Sequence, residues 1–114
     1  MTSPSAKEIA LRAADLVGGD RAVTHGGKLD NHARIADVWN GILSAAGKKP
    51  FRPLDAHDVA NLMEGMKIAR RYTGAFNPDD YIDGAGYAAV AGEVRAEQIR
   101  IDETWAQAVE GCPA

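Results

Sequence analysis

Residues 77–93 read NPDDYIDGAGYAAVAGE. Asn77 can accept hydrogen bonds from the free N–H groups of a first helical turn, Pro78 suits the first helical position, and Asp79 and Asp80 put negative charge where the helix macrodipole favours it. A helix therefore opens at Pro78. Past the opening, seven of the nine residues from Gly84 to Gly92 are Ala or Gly, although a glycine costs about 1 kcal/mol relative to Ala in a helix interior. Helix propensity does not select Gly84, Gly86 and Gly92. Either they let a neighbouring helix or a ligand approach the backbone closely, or they mark a break. From Glu93 the pattern turns charged, with Val94, Ile101, Trp105 and Val109 at helical spacing. The helix is accordingly read over 78–110, its second half suited to packing on another helix or subunit.

Working outward, Asp55 caps a helix read over 56–73, with Val59, Leu62, Met63 and Met66 spaced as one apolar face and Gly74 at its end. Before it, Lys48-Lys49-Pro50-Phe51-Arg52-Pro53 is a basic, Pro-bounded connector that excludes helix. Asp30 or Asn31 caps a helix over 31–46, whose stripe is Ile35, Val38, Trp39, Ile42 and Ala46, stopped by Gly47. The first helix, over 4–17, follows Pro4 and the capping box Ser5-Ala6-Lys7-Glu8, with Ile9, Ala13, Leu16 and Val17 on one side and Gly18-Gly19 as its stop. Residues 20–29 show no lasting period and read as a loop. No segment alternates with period two, so the fold class is all-α: one domain of four helices.

Composition agrees. The chain has 114 residues, 46% apolar and 25% charged, which is ordinary globular usage and too short for two domains of usual size. Twenty-one Ala and 12 Gly make its elements thin, so oligomerisation is a reasonable source of further burial. The formal charge of -3 offers no footprint for nucleic acid as a partner. The single Cys112 supports neither a disulfide framework nor a cysteine metal cluster, and a reducing cytoplasm fits. No apolar run approaches the ~18 residues of a membrane span, and MTSPSAKEIA lacks the apolar core of a secretion signal.

Chemistry concentrates at the third and fourth helices. Asp79, Asp80 and Asp83 stand at i, i+3 and i+4 spacing, so three like charges share one face. A hard divalent cation would compensate them. First-turn acids that merely answer the macrodipole explain Asp79 and Asp80 but not Asp83. On the third helix, at 100° per residue with Val59 as zero, Lys67 falls near 80°, Arg71 near 120° and Glu64 near 140°. These three form either a solvated ion-pair ladder or a site in which Glu64 completes a metal shell opposite Asp83 while the cations neutralise phosphate. Arg70 falls near 20°, within the apolar stripe, and so needs a carboxylate or a ligand. The His25-Gly26-Gly27-Lys28 loop could wrap a phosphate or a base, or be only a turn. His32 and His57 lack partners at ligand spacing, and no serine or cysteine has a paired base.

Three stretches, THGGKLDNHARIADVW, DVANLMEGMKIAR and NPDDYIDGAGYAAVAGE, resemble segments of a group of small phage-encoded proteins that look like a divergent branch of the MazG-like all-α nucleoside triphosphate pyrophosphohydrolases. The resemblance covers about residues 24–93. It implies a helical bundle assembling as a homodimer or homotetramer, and Mg²⁺-dependent cleavage of a (d)NTP to monophosphate and pyrophosphate, with Mn²⁺ as an alternative cofactor. Asp80-Tyr81-Ile82-Asp83 stands where such proteins carry ExxD, and Glu64 is the one acid matching their EExxE helix. On this resemblance Glu64, Asp80 and Asp83 hold the metal, and Glu64, Lys67 and Asp83 are catalytic. Lys67, Arg70, Arg71, His25, Asn31 and Tyr87 would contact the nucleotide, with Trp39 a further candidate. The incomplete acidic triplet also admits a nucleotide-sequestering protein that does not cleave, or a helical assembly protein without ligand.

Overall fold

The computed structural model describes residues 3–18 and 27–110. Four helices make up the described part, α1 (Ala6–Gly18), α2 (Lys28–Ala45), α3 (Ala56–Arg70) and α4 (Pro78–Glu110), and no strand occurs among the described residues. Local chemistry accounts for their ends. The Ser5 hydroxyl oxygen accepts from the Glu8 N–H at 3.1 Å and donates to the Glu8 carboxylate. Asp55 and Asp58 close a reciprocal capping box, each carboxylate accepting from the other's backbone N–H at 2.9 Å. The Asn77 Oδ1 accepts from the Asp79 N–H at the start of α4. At the end of α2, Gly47 takes φ +71 while the Lys48 N–H reaches the Leu43 carbonyl, a geometry that a residue with a Cβ adopts only under strain. The second helix starts three residues earlier than its capping residues suggest, with Gly27 as an N-cap lacking any side-chain bond and Asp30 already in the first turn.

α4 is the spine. It packs against α1 on one side and α3 on another, and α2 fills in against α3. Its glycines permit this. A Cβ at Gly86 would sit 3.3 Å from the Val17 Cγ1 of α1, and one at Gly84 would meet Arg71 of α3, whereas Gly92 faces open space. The helix continues unbroken through all three. The resulting core is small-sided: Ala56 and Ala60 of α3 against Val90, Ala91 and Val94 of α4, edged by Val17, Leu29 and Ala33.

The apolar stripes read for α2 and α3 coincide only in part with the faces that pack: Val59 is buried, and Ile35, Trp39 and Met63 are half-buried. On α2 the buried residues are His32 and Ala36, while Val38 and Ile42 are exposed. On α3 Ala56, Val59 and Ala60 are buried, while Leu62 and Met66 are exposed. Close approach to an Ala- and Gly-rich α4 is available only to small residues, and it turns the bulkier apolar side chains outward. His32 fits the interior because its ring is hydrogen-bonded to the Lys28 carbonyl at 2.7 Å. The connector between α2 and α3 is held by Asn40, whose amide donates to the Leu54 carbonyl and whose Oδ1 accepts from the Leu54 N–H.

Candidate functional site

Cations gather in the last turn of α3 and acids in the first turns of α4, where each macrodipole favours them. The loop between the two helices brings these termini side by side. Lys67 Nζ lies 3.0 Å from Asp83 Oδ2, with the lysine side chain 13% exposed. Arg70 Nε lies 3.4 Å from Asp80 Oδ1, the arginine 55% exposed and the aspartate 8%. Arg70 thus finds the carboxylate its position called for, and it points to the rim rather than into an apolar stripe.

Arg71 is the most constrained of the three cations. Its guanidinium donates to the Asp80 carbonyl at 3.2 Å and stands 4.5 Å over the Tyr81 ring, a distance at which a cation is attracted by the ring's negative face. Gly84 leaves the space, since a Cβ there would fall 2.2 Å from one Arg71 nitrogen. Phe76 backs the arrangement, its ring centroid 5.8 Å from that of Tyr81. Tyr81 is a site-forming residue that sequence reasoning missed, whereas Gly84 is marked in the sequence as a glycine admitting close approach. The signal available was a glycine with no helical reason to be there.

Two buried side-chain atoms among the described residues lack a hydrogen-bond partner: Asp80 Oδ1 and Arg71 Nε. The 3.4 Å approach of Arg70 compensates the charge of Asp80 but is longer than an N–H···O bond of about 2.7–3.2 Å. An acceptor oxygen and a donor N–H, both shielded from water, therefore remain unsatisfied at one junction.

Of the other candidates, Tyr87 lies one turn beyond Asp83 on the same face of α4 and is half-buried. Glu64 lies one turn before Lys67 on α3, half-buried, with no ion pair among the described residues. Asn31 and Trp39 belong to α2, both half-buried. His25 lies outside the described residues. The structure brings together Lys67, Arg70, Arg71, Asp80 and Asp83; it does not assemble three or more acidic or histidine side chains into a metal-holding group among the described residues. Asp80 and Asp83 nonetheless form a pair of oxygen donors one turn apart. Mg²⁺ is usually bound by one or two carboxylates together with waters and substrate phosphates, so this pair fits a cation that arrives with its phosphate ligand.

The profile of a family described as a domain of unknown function, DUF6378, matches residues 8–95. The chain is also similar to the Gene 55 protein of Mycobacterium phage L5, 35% identical over 82 residues, which is 72% of this chain and 49% of that one. To the Gene 55 protein of Mycobacterium phage D29 it is 31% identical over 93 residues, 82% of this chain and 57% of that one. The chain thus spans about half the length of these curated relatives. No solved structure matches it. No helix among the described residues is long and apolar enough to cross a membrane.

Proposed function

We propose that this chain, which belongs to the DUF6378 family, binds a magnesium-complexed nucleoside triphosphate at the α3–α4 junction and hydrolyses it to monophosphate and pyrophosphate, as the MazG-like resemblance of its sequence implies. The observation that carries the reading is the paired charge set, Lys67 with Asp83 and Arg70 with Asp80, beside two unsatisfied buried polar atoms. An ion pair of this kind offers each half of a metal–phosphate complex its counter-charge. Asp80 and Asp83 would hold Mg²⁺, which would supply Lewis-acid neutralisation of phosphate charge.

The chain's own groups do the rest. Lys67 and Arg70, released from their carboxylates, bind the phosphate oxygens, and Arg71 joins them from a fixed position because Tyr81 and Gly84 hold its guanidinium. Glu64, which forms no ion pair among the described residues, accepts the proton of a water attacking the α-phosphorus. The bond from that phosphorus to the bridging oxygen breaks, and pyrophosphate leaves. Tyr87, on the same face as Asp83, lies toward the sugar or base. Within this reading the four helices form a MazG-like bundle.

A second reading has its own support. Each carboxylate is already answered by a cation, and no third acidic group joins them among the described residues. Such a site would suit a protein that sequesters a nucleotide without cleaving it. One experiment separates the two: incubate the chain with each (d)NTP and Mg²⁺, heat-denature it, and analyse what is released. Monophosphate plus pyrophosphate, abolished in Asp83→Asn with helicity intact, is the expected result. Intact nucleotide establishes sequestration, and undiminished turnover in Asp83→Asn removes the site assignment. No retained nucleotide, together with no nucleotide-induced rise in melting temperature, refutes both.

A further inference from the structure

The connector between α2 and α3 stands apart from the α3–α4 junction, at the opposite end of a helix of 15 residues, a length of about 22 Å. It is tied down at both ends. The Lys48 N–H donates to the Leu43 carbonyl at 2.9 Å, and the Asn40 amide holds both the N–H and the carbonyl of Leu54. Leu43 and Asn40 are only about 5 Å apart along the axis of α2, whereas the chain from Lys48 to Leu54 could span about 20 Å if extended. The segment between the two anchors must therefore bow outward, as an Ω-loop does. It bends at Phe51 and Arg52, in the middle of the span, and Phe51 is 99% exposed.

Cations flank that ring. Lys48, Lys49 and Arg52 are all exposed, and none of them forms an ion pair among the described residues. From Ala46 to Leu54 the chain places three of its 13 basic residues and none of its 16 acidic ones, so the net charge of -3 conceals a cationic loop. The loop is also stiff. Pro50 and Pro53 have a fixed φ, and Lys49 and Arg52, each preceding a proline, are kept extended. Little conformational freedom is then left to lose when a ligand binds. The fold gains no burial from a phenyl ring held at such a crest, whereas a ligand with an apolar face between two anionic groups would find all its counterparts there.

We propose that this loop binds single-stranded nucleic acid, the Phe51 ring stacking on an unpaired base while Lys48, Lys49 and Arg52 meet the phosphates to either side. Every base has a π-face, so such stacking tolerates any sequence, and the cations supply a salt-dependent share of the affinity. The bases of a duplex are stacked on one another and withhold those faces. An anionic membrane also offers apolar and charged contacts. As a plane, however, it would face the acidic remainder of the chain as well as the loop, whereas a strand meets the loop alone.

Fluorescence anisotropy of a short labelled oligothymidylate, titrated with the full chain at several salt concentrations, tests this beside a duplex of equal length. The single strand is expected to bind more tightly than the duplex, with a log–log salt slope near -2, since each of three phosphate contacts contributes about -0.7. Phe51→Ala should weaken binding at least about fivefold, the loss of one base stack, with the slope retained. Its melting temperature should match wild type, because the ring lies almost wholly in solvent. Replacing Lys48 and Lys49 together by Gln should instead bring the slope to about -0.7. The proposal is overturned by a single strand that does not bind at low salt, by a duplex bound as tightly, or by Phe51→Ala or the double lysine variant behaving as wild type. Tighter binding to vesicles of anionic phospholipid than to the oligonucleotide, lost in Phe51→Ala, also overturns it and assigns the loop to a membrane surface.

Discussion

Gly84 shows how one missing side chain fixes the position of another. A methyl group there would fall 2.2 Å from an Arg71 guanidinium nitrogen. The obstructed atom is the far end of a flexible side chain, so the helix need not move; the guanidinium would swing away instead. Gly84→Ala gains up to about 1 kcal/mol of helix propensity. It loses the contact of Arg71 with Tyr81, worth about 0.5–1 kcal/mol, and the bond to the Asp80 carbonyl, worth about as much. Chemical denaturation should therefore register a net change under about 1 kcal/mol. Calorimetric titration with Mg²⁺ and a nucleoside triphosphate should instead register a roughly tenfold loss of affinity, because a displaced charged donor forfeits about 1.4 kcal/mol or more. The sequence marks Gly84 as a residue that helix propensity does not choose, and it marks Arg71 as a cation near a carboxylate. That the glycine exists for the arginine was not legible, because the two meet only once the α3–α4 turn is closed.

At the level of the element, the ends of α3 rest on the reciprocal bonds of Asp55 and Asp58 and on the termination beyond Arg70. Burial alone would raise the Asp55 carboxyl, but its hydrogen bonds with Asp58 and the charge and backbone of His57 outweigh that and hold it below its ordinary value of 3.8. A carboxyl lowered in the folded state contributes stability that is complete above the ordinary value and is lost as pH falls through the folded one. Asp55→Ala should cost about 1 kcal/mol at neutral pH by urea denaturation. Across the acid limb below 3.8 the variant's stability should fall less steeply than wild type, because the titrating cap is gone. Signals of this local kind made the helices readable: Ser5, Asp55, Asn77, Pro78 and Gly47 all act within four residues of themselves. Helix faces are not local. Val38, Ile42, Leu62 and Met66 keep helical spacing, yet the packed sides of α2 and α3 are formed by His32, Ala36, Ala56, Val59 and Ala60, since what decides the packing is how near α4 allows a neighbour to come.

For the molecule as a whole, the largest fully buried side chains among the described residues are Val59 and Val94, while Trp105, Val109 and Ile101 stand exposed on the α4 arm. The thinness expected from 33 Ala and Gly residues has a physical expression here, because such a core removes little apolar surface from water per residue. The identities of the arm residues and their spacing were readable from sequence. The face they leave uncovered was not, because that depends on where α1 and α3 stop along α4.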